Sequence, residues 1–177
     1  MKALFGYYNS LNSIVKFIIH FIFLMTLFYL FYYSSFFDFF LLPHILKVQA
    51  TLAKLFLSAC GYSIVIRDAT LIGDQFQVSI KGGCDGIEAS ALYAIALISL
   101  PLVARKYKIL GLIVGLSILF LLNIIRIAGL YLAGIHWPAF FEFFHLHGGV
   151  IAFLLISVIM WLIWVQWVMK KTAHNND

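Results

Sequence analysis

Charge is what this sequence has least of: 11% of its 177 residues are Asp, Glu, Lys or Arg, while 64% are hydrophobic. Soluble domains carry about a quarter charged residues and are about half apolar, so a soluble single-core protein is excluded and a membrane protein is expected. Cysteine is nearly absent too. Cys60 and Cys84 are too few for a disulfide framework, although a bridge between these two would disarm either thiol. The first apolar run lacks small residues at its end and is too long for a cleaved signal peptide, so it reads as a mature spanning helix. The net charge of +5 lies beside the apolar runs rather than in a stripe interleaved with aromatics; it is a topology signal and argues against a nucleic-acid partner. Glu142 and His145 spell one Glu-x-x-His unit, but a second unit is missing, and His145 and His147, two apart, do not share a helix face. No metal and no cofactor are expected.

What the chain does have is apolar length. Runs from about Phe17 to Leu42, Ile87 to Val103, Ile109 to about Leu132 and Val150 to Val168 are each expected to cross about 30 Å of hydrocarbon at about 1.5 Å per residue. Asp38 and Pro43 mark the exit from the first. From His44 to Gly61, Ile45, Leu46, Val48, Leu52, Leu55 and Phe56 recur at helical spacing among Lys47, Gln49, Lys54 and Ser58. That pattern predicts an amphipathic helix lying at the membrane surface, too short and too charged to span. Between Tyr62 and Lys81 the period drops to two, with Ile64 and Ile66, then Phe76, Val78 and Ile80, around a turn at Gly73-Asp74. A β-hairpin outside the hydrocarbon is predicted. The expected fold is an all-α membrane protein: a bundle of about four transmembrane helices with an outer amphipathic helix and a small β-hairpin. It forms one membrane domain over residues 1–177, with an extracytoplasmic insert at 43–83 and a helical core at 84–168.

Positive residues orient the bundle. Lys2 and Lys16 precede the first run, Arg105, Lys106 and Lys108 fill the loop between the second and third, and Lys170 and Lys171 follow the fourth. By the positive-inside rule all three sites and both termini are cytoplasmic, and residues 43–83 and 133–148 lie on the far side.

That orientation brings the chemically useful residues to one face. Cys84 sits in the glycine-rich turn Lys81-Gly82-Gly83-Cys84-Asp85-Gly86 at the outer start of the second run. Arg126, with Asn123 one turn earlier, lies about 27 Å up the third run from Lys108. His145 and His147 open the fourth. A buried-run arginine is costly unless it faces a polar site, and a helix N-terminus with a nearby guanidinium favours a thiolate. Thiol, guanidinium and imidazole are the set that acyl transfer requires: nucleophile, oxyanion holder and proton carrier. The plainer readings are a packed cysteine, a snorkelling arginine and interfacial histidines. They leave a non-enzymatic transporter or assembly factor, in which Arg126 binds an anionic group, as the alternative. A histidine-based metalloprotease, which a chelator would inactivate, is the third reading.

The runs GGCDGIEASALYAIALISLP and LLNIIRIAGLYLAGIHWPAFFEFFH, followed by a Trp-rich apolar span, resemble the exosortase and archaeosortase family of membrane transpeptidases, most closely its exosortase H branch. The resemblance covers Gly82 to the end, about half of the chain. It implies a cysteine protease or transpeptidase of the bacterial inner membrane, multi-pass, with its site on the periplasmic face. Its partners would be the lipid bilayer and exported proteins ending in a short motif, a transmembrane helix and a basic tail. The family's catalytic cysteine, arginine and histidine fall on Cys84, Arg126 and His145, with His147 a bystander. Asn123, Asp85, Glu88 and His147 are candidates for support or substrate contact. Asp85, beside the thiol, opposes the thiolate unless Arg126 or Lys81 offsets it.

Overall fold

The structure, a computed structural model, describes residues 10–101, 103–143 and 149–173. Helix α1 runs from Ser13 to Tyr32, its first turn capped by Asn12, whose Oδ1 accepts the Val15 N–H at 2.8 Å. It stops ten residues before the apolar run does. The cause is Ser34, whose hydroxyl donates to the Phe31 carbonyl at 2.6 Å and accepts the Phe37 N–H at 3.2 Å. A serine side chain that competes for backbone groups ends one helix and starts the next. A single π-helical turn, Phe37–Leu41, then leads into α2, Leu42–Ala59. Together they form an apolar helix of 23 residues, Phe37–Ala59, with the length and composition of a membrane span.

The predicted hairpin is a three-stranded antiparallel meander: β1 Val65–Arg67, β2 Thr70–Ile72 and β3 Gln77–Ser79. The turn at Gly73-Asp74 is where the pattern put it, between Ile72 and its partner Gln77. A second turn, Asp68-Ala69, joins Arg67 to Thr70. Asp68 takes φ 56, in the left-handed region that aspartate tolerates better than most residues. Ile66, Leu71 and Val78 stand opposite one another in register, and Leu71 and Val78 bury one face of the sheet.

Helix α3 spans Ile87–Ser99, α4 Arg105–His136, α5 Pro138–Phe143 and α6 Gly149–Ala173. Among the described residues four helices have the length and composition to cross a membrane, but the set differs from the expected one: α3 is not among them and Phe37–Ala59 is. At 13 residues α3 reaches about 20 Å, short of a bilayer's about 30 Å. Pro101 is the reason, since it forces Leu100 into extended backbone at φ −65, ψ 116. Lys108 then closes the frayed end, its Nζ donating to the Ile98 carbonyl at 2.6 Å.

The basic loops share one end of the molecule. Phe17 stacks on Trp161 with ring centres 5.9 Å apart, and Tyr107 meets Trp167 edge-on at 5.7 Å. Phe17, near the start of α1, is therefore level with the middle of α6, and the start of α4 with its last turns, so that the start of α1, the start of α4 and the end of α6 all point to the same end. A lower core joins Ala89, Tyr93 and Leu97 of α3 to Leu119 of α4 and Phe153, Trp164 and Val168 of α6. Here the Tyr93 ring presses on Gly115 and the Trp164 indole on Gly111, positions where a Cβ would collide with the aromatic group.

Helix α4, about 48 Å long, continues past this core. Its far half, with Ile124, Ile127, Ala128 and Tyr131, packs into an upper core with Leu46, Ala50, Ala53 and Leu57 of α2 and with Leu71 and Val78 of the sheet. Although α2 has a span's length, where a surface helix too short to cross was expected, its buried face is Leu46, Gln49, Ala50, Ala53 and Leu57, packed into this upper core, while Val48, Leu55 and Phe56 of the expected apolar stripe are exposed. The Lys81–Gly86 turn sits at the seam between the two cores.

Candidate active site

The turn is closed by its own backbone and needs glycine conformations. The Cys84 N–H donates to the Lys81 carbonyl at 3.0 Å, and Gly83 and Gly86 take φ 86 and 73. Gly86 has no room for a side chain either, because a Cβ there would approach Asn123 and Phe153 to 3.0 Å. Asp85 follows the cysteine, and its carboxylate is hydrogen-bonded to α1 and α3. Oδ1 accepts the N–H of Ile87, the first residue of α3, at 2.8 Å, and Oδ2 accepts the Tyr32 hydroxyl of α1 at 3.4 Å. The residue is 3% exposed. Burial raises its carboxyl above the ordinary carboxylate value, against the lowering effect of the Ile87 and Gly83 N–H groups, Tyr32 and Arg126.

The Asp85 carbonyl is gripped from two further helices. Gln49 Nε2 of α2 donates to it at 2.7 Å and Asn123 Nδ2 of α4 at 2.9 Å. Both amides are buried, at 2% and 1% exposure. Asp85 is thus tied to α2 and α4 through its carbonyl and to α1 and α3 through its carboxylate.

Arg126 lies over this clamp. Its Nη2 approaches the Cys84 sulfur at 3.8 Å, and Nη1 reaches the Cys84 carbonyl at 3.5 Å and Asn123 Oδ1 at 3.4 Å. The guanidinium carbon stands 5.7 Å from the centre of the Phe153 ring. These hydrogen bonds are long, and Nε is buried with no partner. A group with five donors that spends them so lightly retains capacity for an incoming acceptor.

Of the residues expected from the sequence, Cys84, Asp85, Asn123 and Arg126 come together. Glu88 is nearby and faces α1, where it pairs with Tyr29. It lines a cavity of about 380 Å³ with Tyr32, Asp38, Gly82 and Gly83. His145 and His147 lie outside the described residues. Cys60 and Cys84 are both free thiols, and Cys60 is exposed at the far end of α2. Two participants escaped the sequence reading. Tyr32 carries no signal within its aromatic run. Gln49 does carry one: it falls on the stripe Leu46, Ala50, Ala53, Leu57, so a polar residue occupies the buried face of an amphipathic helix.

No curated protein and no solved structure matches the chain. A family model does, the transmembrane exosortase, over residues 14–162. The match takes in α1 and α2 as well as the cysteine turn and α4, so the helices that clamp the Asp85 carbonyl fall within it. The chain belongs to the transmembrane exosortase family.

Proposed function

We propose that the protein is a cysteine peptidase or transpeptidase that processes C-terminal sorting signals of exported proteins through a thioacyl intermediate on Cys84. The observation that carries the reading is the 3.8 Å approach of Arg126 Nη2 to the Cys84 sulfur, on a peptide held by two buried amides. In the first step the Cys84 thiol passes its proton to His145 and Sγ attacks the scissile carbonyl carbon, and the oxygen gathers negative charge beside the Arg126 guanidinium. The C–N bond then breaks, and His145 gives its proton to the leaving amine, which departs with the substrate's transmembrane helix. A thioester remains on Cys84. Water or an acceptor nucleophile attacks it, losing its proton to His145, and the thiolate leaves.

The site faces the periplasm in this reading and both termini face the cytoplasm. The shared end of the basic loops supports it, as does the position of Arg126, about 27 Å along α4 from Lys108. In cells carrying a protein that ends in a short motif, an apolar span and a basic tail, Cys84→Ala is expected to leave the full-length precursor unprocessed on an immunoblot. Normal maturation by that variant would remove Cys84 from the chemistry. It would favour the non-enzymatic alternative, in which Arg126 holds an anionic group.

A further inference from the structure

A groove opens between α3 and α4 directly below the clamp, with a volume of about 320 Å³. Ser90, Ala91 and Ala94 of α3 form one wall and Leu116 and Phe120 of α4 the other, with Gln49 of α2 at the head. The walls are apolar and half-exposed, and small residues there let another backbone approach closely. The head is different. Gln49 is 2% exposed; its Nε2 is spent on the Asp85 carbonyl, but its Oε1 is buried with no hydrogen-bond partner. An orphaned buried acceptor calls for a donor from a ligand.

We propose that this groove is the docking site of the substrate's transmembrane helix, with the outer end of that helix at Gln49. The inference rests on the proposed peptidase function. A helix that follows the scissile bond enters the bilayer by its N-terminus, and the first four N–H groups of a helix have no partner within it. Those donors arrive at the level of Gln49 Oε1, one peptide from Cys84, while the apolar flank of the helix meets the small-residue wall of α3. An acyl chain would fill the walls and leave the Gln49 acceptor unmet. The short α3 has a use in this arrangement, since it leaves lateral access beside the much longer α4. A second apolar slot, of about 430 Å³ and lined by Gly111, Ile163 and Trp164, lies at the basic end and provides the control position.

The test is photocrosslinking in membranes of cells that express the host's own tripartite-tail precursor, tagged at its N terminus. A benzophenone analogue of phenylalanine replaces Phe120 in a Cys84→Ala chain, or replaces Ile163 in the control. An adduct with the precursor from position 120 and none from 163 is the expected result. In the active chain, Ala91→Leu fills the groove and is expected to slow precursor processing by about tenfold, while labelling of Cys84 by a membrane-impermeant thiol reagent stays at the parent rate. An adduct from 163 alone, an adduct with lipid alone, or unaltered processing by Ala91→Leu overturns the groove and leaves a Cys84-dependent enzyme standing. Precursor matured by the Cys84→Ala chain overturns the peptidase reading and the groove with it.

Discussion

The lower core and the seam above it treat spare polar groups in opposite ways. In and around the lower core, Ser157 Oγ, Trp161 Nε1 and Trp164 Nε1 are buried without partners, a turn apart on one face of α6 and among apolar neighbours. At the seam, Tyr32, Gln49, Asn123 and the Ile87 N–H all converge on Asp85, and among the described residues there two buried side-chain atoms are left over, Gln49 Oε1 and Arg126 Nε. One is an acceptor and the other a donor, and they sit close to Cys84. Orphans set among apolar side chains, with no reactive group beside them, are packing compromises. Two complementary orphans beside a clamped thiol are binding capacity.

The largest effect separating the regions should come from Arg126→Gln. Its bonds in the resting site are long, so unfolding in detergent should move little, whereas turnover of a tail-bearing precursor should fall about 10²–10³-fold if the guanidinium holds the oxyanion. A matching loss of stability would make Arg126 a structural prop. The lower core should show the reverse pattern. Gly115→Ala drives a methyl into the Tyr93 ring and is expected to cost about 1–3 kcal/mol of stability with activity per folded molecule retained. Thermal unfolding monitored alongside turnover tests both.

A smaller effect belongs to Asp85. Leaving the Ile87 N–H without its acceptor by Asp85→Ala should cost about 1–3 kcal/mol, and Asp85→Asn, which keeps an oxygen for that N–H, should cost less. The two also differ from the parent in pH dependence. Burial raises the Asp85 carboxyl, so the folded chain holds that proton more readily than the unfolded one does. The stability it contributes is present below the ordinary carboxylate value and is lost as pH rises through the folded value. Asp85→Asn should flatten that part of the stability–pH profile, and an unchanged slope would show that Asp85 does not titrate there.

Much of this arrangement was legible in the residues. Composition exposed the membrane protein, period-two alternation exposed the sheet around Gly73-Asp74, and glycines beside a lone thiol exposed the turn at Cys84. Three features were not legible, each for a physical reason. Ser34 ends α1 through a local hydrogen bond that hydropathy does not register, and Pro101 shortens α3 through a restriction on its neighbour's backbone. The Asp68-Ala69 turn lacks the glycine that usually announces a two-residue hairpin. At the site, proximity of Cys84 to Arg126 followed from depth along the helices. The clamp did not, because Gln49 and Tyr32 reach Asp85 across 36 and 53 residues of sequence.

The central claim is that Cys84 carries the acyl group, and the most direct measurement is to look for it there. Membranes caught during processing should be denatured at low pH, digested and searched by mass spectrometry for a substrate-derived thioester on the Cys84 peptide. The account predicts an adduct that hydroxylamine cleaves and that is absent from Cys84→Ala membranes. Precursor maturing at the normal rate with Cys84 unmodified throughout, or in the Cys84→Ala chain, would contradict it.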